Sequence, residues 1–189
     1  MTVKDKGKVQ PIRPAAHQQM VLDEDAINAV KNSTSGAAGT LADDAVRQDI
    51  IKLLNDSLAT ELVCVLRYKR HHFTANGLAS PKIAEEFLVH ANEESAHADR
   101  LAKRIVQLGG EPDFSPDSLL RRSHAAYDDS VDLTTMIEAN LTAELVAVEA
   151  YSQMVALIGV KDSTTRRLIE DILSDEQAHA EELKGWLTS

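Results

Sequence analysis

The chain has 189 residues, with 30 Asp and Glu against 20 Lys and Arg, so its formal net charge at pH 7 is −10. Its single cysteine excludes a disulfide framework and an all-cysteine zinc site, and its acidity disfavours a surface that coats nucleic acid. Because only 4% of the residues are aromatic, a β-protein is also disfavoured. Residues 1–25 hold no apolar signal segment, and no run approaches the roughly 18 apolar residues of a membrane span, so we expect a cytoplasmic protein without a membrane anchor.

The N-terminal residues differ in composition from the rest of the chain. Residues 1–40 mix Lys, Ser, Gly, Pro and Asp, which is typical of a mobile arm. In residues 41–189, proline and glycine fall mainly between long stretches that lack both. We therefore predict a flexible arm, 1–40, followed by one helical domain, 41–189.

Four stretches of that domain are long enough, and free enough of helix breakers, to be helices. Thr40 is the expected N-cap of the first helix, and Gly77 is the residue expected just past its end. Ser80 is the expected N-cap of the second helix, with Pro81 in its first turn. The expected bounds are Leu41–Asn76, Ser80 to Gly109, Asp132–Ile158 and Asp162–Leu187.

The connections between these helices differ in length. Those after the first and third helices have only a few residues, which predicts two antiparallel hairpins. The connection between the hairpins, about Gly109 to Val131, is long enough to run back along the bundle, and Ser118–Ala125 within it predicts a short helix. The predicted fold is all-α: a four-helix bundle with one long crossover.

The two hairpins repeat one sequence pattern. Residues 58–68, LATELVCVLRY, align with residues 141–151, LTAELVAVEAY. Residues 93–98, EESAHA, align likewise with residues 175–180, DEQAHA. Each hairpin therefore carries a glutamate, a tyrosine seven residues later and then a Glu-x-x-His motif. Two such hairpins packed face to face predict a site with pseudo-twofold symmetry.

Every helix places a glutamate where its apolar periodicity predicts a core residue. Along the third helix, steps of three and four residues connect Ile137, Leu141, Glu144, Val148, Tyr151 and Val155. In each helix the glutamate lies about 21 Å from its own hairpin loop, at 1.5 Å per residue, so the carboxylates are expected at one level. The core glutamates, and the histidines one turn beyond two of them, are Glu61, Glu94, His97, Glu144, Glu176 and His179.

Four buried carboxylates need a compensating charge. Each costs at least several kcal/mol when it is ionised and unpaired, and the four repel one another. Two divalent cations neutralise them, and the two histidines complete the ligand set. Because most of the ligand atoms are oxygens, iron or manganese is favoured over structural zinc. One Glu-x-x-His is a weak signal, but two, each matched with a core glutamate upstream, predict a dinuclear metal site.

Several residues near this site leave alternatives open. Tyr68 and Tyr151 are either core aromatics that hydrogen-bond a ligand carboxylate or redox-active groups, and Tyr68 is the stronger candidate for the second role. Cys64 is expected to be a small buried packing residue. His90, one turn before Glu94, is either a solvated histidine or a further contact of the metal site.

Residues 41–187 resemble the ferritin-like superfamily, in particular the bacterioferritins and their Dps-like relatives. The resemblance rests on one series, Glu61, Tyr68, Glu94-x-x-His97, Glu144 and Glu176-x-x-His179. It implies two Fe ions per subunit, one bound by Glu61 and His97 and one by Glu144 and His179, with Glu94 and Glu176 bridging; manganese stays an alternative. It also implies oxidation of Fe(II) by O2 or H2O2, and iron storage in a hollow homo-oligomeric cage.

The chain departs from the bacterioferritin pattern in three places. Ser95 stands where bacterioferritins have a haem-binding methionine, so we expect no haem. The chain ends ten residues after His179, without the short fifth helix of the 24-subunit cages, and its crossover resembles that of the 12-subunit Dps-like cages. Only Cys64 is present, so the cysteine pair of some archaeal Dps-like relatives is not matched. A 12-subunit cage is therefore favoured.

Two other functions stay open at this point. A rubrerythrin-like peroxide reductase or a manganese catalase uses a similar ligand set, although the chain has no Cys-x-x-Cys electron-transfer module. A Dps-type DNA-protecting protein is the other alternative. It is favoured by four cations near the N-terminus, Lys4, Lys6, Lys8 and Arg13.

Overall fold

The computed structural model of the protein describes residues 43–77 and 80–188. Within these residues it is helical and contains no strand, which confirms the predicted all-α fold. The predicted arm, residues 1–40, and its last residue Thr40 lie outside the described residues. The helices are α1 (Asp44–Thr74), α2 (Ser80–Gln107), α3 (Leu119–Arg122), α4 (Leu133–Ile158) and α5 (Ser163–Leu187).

The ends of α1 differ from the prediction by a few residues. Its N-cap is Asp43 rather than Thr40, because the Asp43 carboxylate accepts hydrogen bonds from the backbone N–H groups of Ala45 and Val46, at 2.9 and 3.2 Å. At the other end Ala75 is the C-cap, so Gly77, with φ 112°, lies one residue farther out than predicted.

The predicted cap of α2 was also wrong, whereas its predicted end is confirmed. Ser80 is already a helical residue, and its hydroxyl donates to the backbone oxygen of Gly77 at 2.7 Å. At the end of α2, Gly109 takes φ 78°, which favours glycine. The N–H groups of Gly109 and Gly110 donate to Val106 and Ile105, both at 2.9 Å, which is the Schellman pattern.

The second hairpin has the predicted ends. Asp132 caps α4 by accepting from the Thr135 N–H at 3.0 Å, and Gly159, with φ 50°, ends that helix. Asp162 caps α5 by accepting from the Thr165 N–H at 2.9 Å. Aspartate caps at both starts stabilise each helix by about 1 kcal/mol and fix where the ligands fall along it.

The helices pair as predicted, α1 with α2 and α4 with α5. The crossover between the pairs contains α3, which is shorter than the predicted Ser118–Ala125 segment. Arg122 fixes this crossover, donating to the backbone oxygens of Asn55 on α1, at 2.7 Å, and of Asp113, at 2.8 Å. Arg122 thus fastens the crossover to α1.

The apolar core is divided into two clusters. One is largely aliphatic and surrounds Leu54, Leu58, Leu101, Ile105 and Ile169. The other contains the aromatic side chains of Tyr68 and Phe87 together with Met136 and Leu183. Along each long helix the core glutamate falls between members of the two clusters. The carboxylates therefore occupy the middle of the bundle, with apolar side chains above and below.

By length and composition alone, α4 could also cross a membrane. An 18-residue window in it has a mean hydropathy of 1.4, and a third of that window is buried inside the bundle. The helix also carries Asn140 and Glu144 on its buried face. In the described part of the chain it acts as one of the four bundle helices.

Candidate metal centre

Six ionisable side chains meet at mid-bundle, where almost no solvent reaches them. Each glutamate has a relative exposure of 1%, and the two histidines have 3% and 6%. Each of the four long helices supplies one glutamate, while α2 and α5 also supply the histidines. They are the six that the sequence predicted as metal ligands: Glu61, Glu94, His97, Glu144, Glu176 and His179.

The six side chains form two groups that share two members. In one, Glu61 and His97 join Glu94 and Glu176, and in the other, Glu144 and His179 join the same two glutamates. Within each group, one ligand atom from every residue lies within 4.8 Å of the others. Two cations placed in these groups would be bridged by both shared carboxylates.

The inner histidine nitrogens face the carboxylates. His97 Nδ1 lies 3.0 Å from Glu176 Oε1, 3.3 Å from Glu94 Oε2 and 3.5 Å from Glu61 Oε2. His179 Nδ1 lies 3.7–3.8 Å from Glu94, Glu144 and Glu176. These distances suit nitrogen and oxygen atoms arranged around a common ion.

One oxygen of every core glutamate lacks a hydrogen-bond partner. Within the cluster, the buried atoms without a partner are Glu61 Oε2, Glu94 Oε1, Glu144 Oε2, Glu176 Oε1 and His179 Nδ1. The 3.0 Å contact of Glu176 Oε1 with His97 lacks hydrogen-bond geometry, so that oxygen counts among them. Buried polar atoms without partners cost about 1–3 kcal/mol each, more when charged. A donor set of four carboxylates and two imidazoles fits a pair of iron or manganese ions.

Two buried tyrosines connect the hairpins at this level. The Tyr68 hydroxyl on α1 donates to Glu144 Oε1 on α4, and the Tyr151 hydroxyl on α4 donates to Glu61 Oε1 on α1. Each tyrosine thus binds one oxygen of a core glutamate and leaves the other without a partner. Of the two roles left open by the sequence, hydrogen bonding to a ligand carboxylate is the one that the geometry displays.

The outer histidine nitrogens are held by acidic residues of the opposite hairpin. His97 Nε2 on α2 lies 3.2 Å from Asp175 on α5, and His179 Nε2 on α5 lies 2.9 Å from Glu93 on α2. Because a carboxylate only accepts, each Nε2 carries a proton, which leaves Nδ1 as the nitrogen that would bind a cation. Such pairs fix the tautomer and orientation of a ligating histidine.

Comparison with known proteins identifies the family. Residues 51–189 match the sequence profile of the ferritin-like domain. The chain belongs to the ferritin-like family. Among curated relatives, bacterioferritin of Desulfovibrio desulfuricans is 30% identical over 131 residues, which are 69% of this chain and 69% of that protein. The nutrient stress-induced DNA-binding protein of Synechococcus is 31% identical, over 71% of this chain and 80% of its own.

Solved structures confirm the ferritin-like fold. The bacterioferritin-related dodecameric thioferritin of Bacteroides fragilis superposes with a TM-score of 0.73 at 28% identity, covering 75% of this chain and 86% of that one. Desulfovibrio desulfuricans bacterioferritin, whose structure describes a diiron site, superposes with a TM-score of 0.68 at 26% identity, covering 76% and 81%. The predicted resemblance to bacterioferritins and Dps-like proteins is therefore confirmed.

His90 of this ferritin-like chain is buried, which excludes the solvated alternative and leaves a role beside the metal centre. Its relative exposure is 1%, and its ring stacks on that of His179 with centroids 4.3 Å apart. Its Nδ1 lies 3.1 Å from the Tyr68 hydroxyl, and its Nε2 lies 3.1 Å from Glu182. Cys64 is buried as predicted, and burial raises the pKa of its thiol.

Protons balance the charge of the ferritin-like cluster when no cation is bound. Burial raises the pKa of Glu61 well above its ordinary value and that of Glu176 to about 8. Burial opposes the charged form of His97, yet close contacts with the carboxylates around it raise its pKa to about 12. Burial also opposes ionisation of Glu144, but polar contacts with His179 and Glu176 and the hydrogen bond from Tyr68 lower its pKa to about 2. Divalent cations bound to these side chains would take the place of the protons.

A cavity opens from the outer histidine nitrogens toward the surface between α2 and α5. Its volume is about 320 Å³. Its polar wall consists of three histidines and three partly exposed acids, His90, His97, His179, Glu93, Asp175 and Glu182. Negative charge at the mouth of this cavity attracts cations toward the cluster.

The sequence analysis missed the acids that hold the histidines. One signal for two of them was available: in both hairpins an acidic residue, Glu93 or Asp175, directly precedes a core glutamate. The repeat shows that this position is duplicated with the ligands. It does not show that each acid reaches across to the other hairpin, because that depends on how the hairpins pack. Glu182 has no counterpart in the repeat, since the equivalent residue in the first hairpin is Arg100.

Proposed function

We propose that this ferritin-like protein oxidises Fe(II) at the mid-bundle cluster and stores the iron as Fe(III). In this proposal Glu61 and His97 bind one ion, Glu144 and His179 bind the other, and Glu94 with Glu176 bridges them. The observation that carries it is the set of four buried glutamates, each with an oxygen that has no hydrogen-bond partner. The diiron site of the related bacterioferritin supports the same assignment.

The residues contribute charge and position. Four carboxylates supply the negative charge that two divalent cations balance, which keeps the pair stable in a dry core. Tyr68 and Tyr151 orient the two carboxylates that do not bridge the ions. Glu93 and Asp175 orient the imidazoles. As substrate, two Fe(II) ions supply the two electrons that reduce O2 with two protons to H2O2, or H2O2 with two protons to two waters.

The test is anaerobic Fe(II) titration followed by stopped-flow mixing with O2 or H2O2. We expect two Fe(II) per chain and a fast oxidation phase in the wild type. Glu94→Ala and Glu176→Ala should lose that phase, because each removes a bridging carboxylate. The exposed glutamates Glu85 and Glu181, on the same two helices, give matched alanine controls that should oxidise Fe(II) normally.

Initial rates unchanged by Glu94→Ala or Glu176→Ala would remove the site assignment. The peroxide-consuming alternatives are tested in the same samples. Oxygen evolution from H2O2 by the manganese-loaded protein, without net Fe(II) oxidation, would replace the storage function with a catalase.

We further propose that the chain assembles into a hollow homo-oligomer of twelve copies. Large apolar side chains on the described surface support assembly: Leu66 is 52%, Phe114 is 50% and Leu120 is 67% exposed. The related thioferritin of Bacteroides fragilis is dodecameric. Light scattering should give the mass of twelve 20.7 kDa chains, and a monomer or dimer would contradict the cage.

A second candidate function is DNA binding. It is supported by the name of the Synechococcus relative, a nutrient stress-induced DNA-binding protein, and by the basic residues near the N-terminus. Replacing Lys4, Lys6, Lys8 and Arg13 by glutamine in the full chain should abolish salt-sensitive DNA retention in a gel. Wild-type protein that does not retain DNA at low salt would exclude this function.

A further inference from the structure

The two halves of the metal centre have the same ligands but different neighbours. His90 stands four residues before Glu94 on α2, and the residue in that place on α5, four before Glu176, is Ile172. Ile172 is fully buried in the aliphatic cluster. The duplicated pattern is therefore broken at this buried position next to the cluster.

His90 lies behind the tyrosine that binds Glu144. Its Nδ1 is 3.1 Å from the Tyr68 hydroxyl oxygen, and that hydroxyl donates to Glu144 Oε1. In the other half, the Tyr151 hydroxyl is hydrogen-bonded to Glu61, and among the described residues no second partner accompanies it. Only Tyr68 thus has a nitrogen within reach besides its carboxylate.

The hydrogen-bond partners of His90 indicate that its Nδ1 atom has a free lone pair. His90 Nε2 faces the Glu182 carboxylate at 3.1 Å, and because a carboxylate only accepts, the ring proton is on Nε2. A neutral imidazole has a single ring proton, so with that proton on Nε2 the Nδ1 atom keeps its lone pair. Two acceptors, Glu144 Oε1 and His90 Nδ1, therefore face the single proton of Tyr68.

We propose that His90 is a positioning residue that takes over the Tyr68 hydrogen bond when a metal ion binds Glu144. Glu144 Oε2 has no partner, and transfer of the tyrosine bond to His90 also frees Oε1. Glu144 then chelates with both oxygens. Glu61 has only its unpartnered Oε2 to offer, since Tyr151 keeps Oε1. The position of Glu144 and His179 consequently binds metal more tightly than that of Glu61 and His97.

This inference rests on the proposed dinuclear site, and Co²⁺ titration of the full chain tests it without redox chemistry. We expect two Co²⁺ per chain with two distinct affinities. His90→Ile, which copies the residue of the other half, should weaken the tighter position roughly tenfold and leave the weaker one unchanged. His90→Asn should restore most of the affinity, because the asparagine side-chain oxygen can occupy the place of Nδ1 as an acceptor.

Two tyrosine variants separate this role from a structural one. In Tyr68→Phe no hydroxyl binds Glu144, so adding His90→Ile should change the Co²⁺ affinities no further. In Tyr151→Phe, the matched change in the other half, His90→Ile should keep its full effect. Far-UV circular dichroism and urea unfolding of each variant check that the bundle is intact.

The outcomes that would overturn the inference are specific. His90→Ile without effect, His90→Asn without rescue, or an equal loss of affinity in the Tyr68→Phe background each contradicts the transfer of the hydrogen bond. Fewer than two Co²⁺ on the wild-type chain would instead contradict the proposed dinuclear site itself.

Discussion

The hairpin α1–α2 and the hairpin α4–α5 are alike where they face the cluster and different one layer farther out. Both provide a terminal glutamate, a tyrosine, a shared glutamate, a histidine and an acid that holds the other hairpin's histidine. They differ at His90 and Ile172, and at Arg100 and Glu182. The duplicated residues are thus those that contact the cluster or hold a residue that does, whereas residues farther from it differ between the hairpins.

The largest effect is expected from removing one glutamate of the proposed metal site from either hairpin. Glu61→Ala and Glu144→Ala each remove the terminal carboxylate of one metal position, so each should leave about one Fe(II) per chain bound. Because a two-electron reduction needs both ions, both variants should lose the fast oxidation phase. Stopped-flow absorbance measures the rate, and equilibrium dialysis measures the bound iron. A variant that keeps fast oxidation would show that its hairpin contributes no essential ligand.

The second prediction concerns the pH dependence of the free energy of unfolding, because Glu176 and Glu144 differ in protonation in the folded protein. Without metal, folded Glu176 has a pKa of about 8, against 4.5 ordinarily, so between these values the folded chain holds a proton that the unfolded chain has lost. The free energy of unfolding therefore falls as pH rises from 4.5 to 8, by a few kcal/mol at about 1.4 kcal/mol per pH unit. The low pKa of Glu144, about 2, has the opposite sign: its contribution is present above pH 4.5 and is lost as pH falls toward 2.

Urea unfolding of metal-free protein at several pH values measures both contributions. Glu176→Gln should flatten the loss between pH 4.5 and 8, while Glu144→Gln should flatten the loss at acid pH. If Glu176→Gln keeps the wild-type pH dependence above pH 5, the proton is held by another group.

The smallest effect concerns the acids that hold the histidines across the hairpins. Asp175→Asn should weaken the position that contains His97, and Glu93→Gln the position that contains His179, each by about 10–100-fold in metal affinity. Asp171→Asn is a matched control, because Asp171 contacts Arg100 rather than a histidine. Co²⁺ titration gives the affinities. If one substitution lowered the Co²⁺ affinity of both positions equally, the acids would act through the overall charge at the cavity mouth rather than through the histidine that each contacts.

Much of the fold and the cluster follows from local sequence. Breakers such as Gly109 and Gly159 end their helices because only glycine takes their backbone conformation easily, so the helix ends there are readable. The core glutamates are also readable, since a charge in an apolar periodicity stands out within a single helix. Because the pattern is duplicated, it predicts that the four glutamates and two histidines belong to one site.

Features that depend on packing between helices were not readable. His90 lies on the buried face of α2, between Phe87 and Glu94, but its partners Tyr68 and Glu182 come from α1 and α5. The buried face of α4 also differs from the predicted one: Ala147 and Met154 are buried, whereas Val148 is only partly so. Packing against neighbouring helices sets the rotation of a helix about its own axis. A periodicity of three and four residues therefore predicts the buried positions only to within one residue.

The crossed hydrogen bonds have a consequence for the origin of the protein. Each tyrosine and each outer acid hydrogen-bonds a glutamate or histidine of the opposite hairpin. One hairpin alone therefore lacks the partners of its own glutamate and histidine, whereas two identical hairpins around a twofold axis supply them to each other. A short ancestral polypeptide pairing with its own copy would already bind two cations. Fusion of the copies into one gene would then permit what a true homodimer forbids: a substitution such as His90 on one side of the axis only.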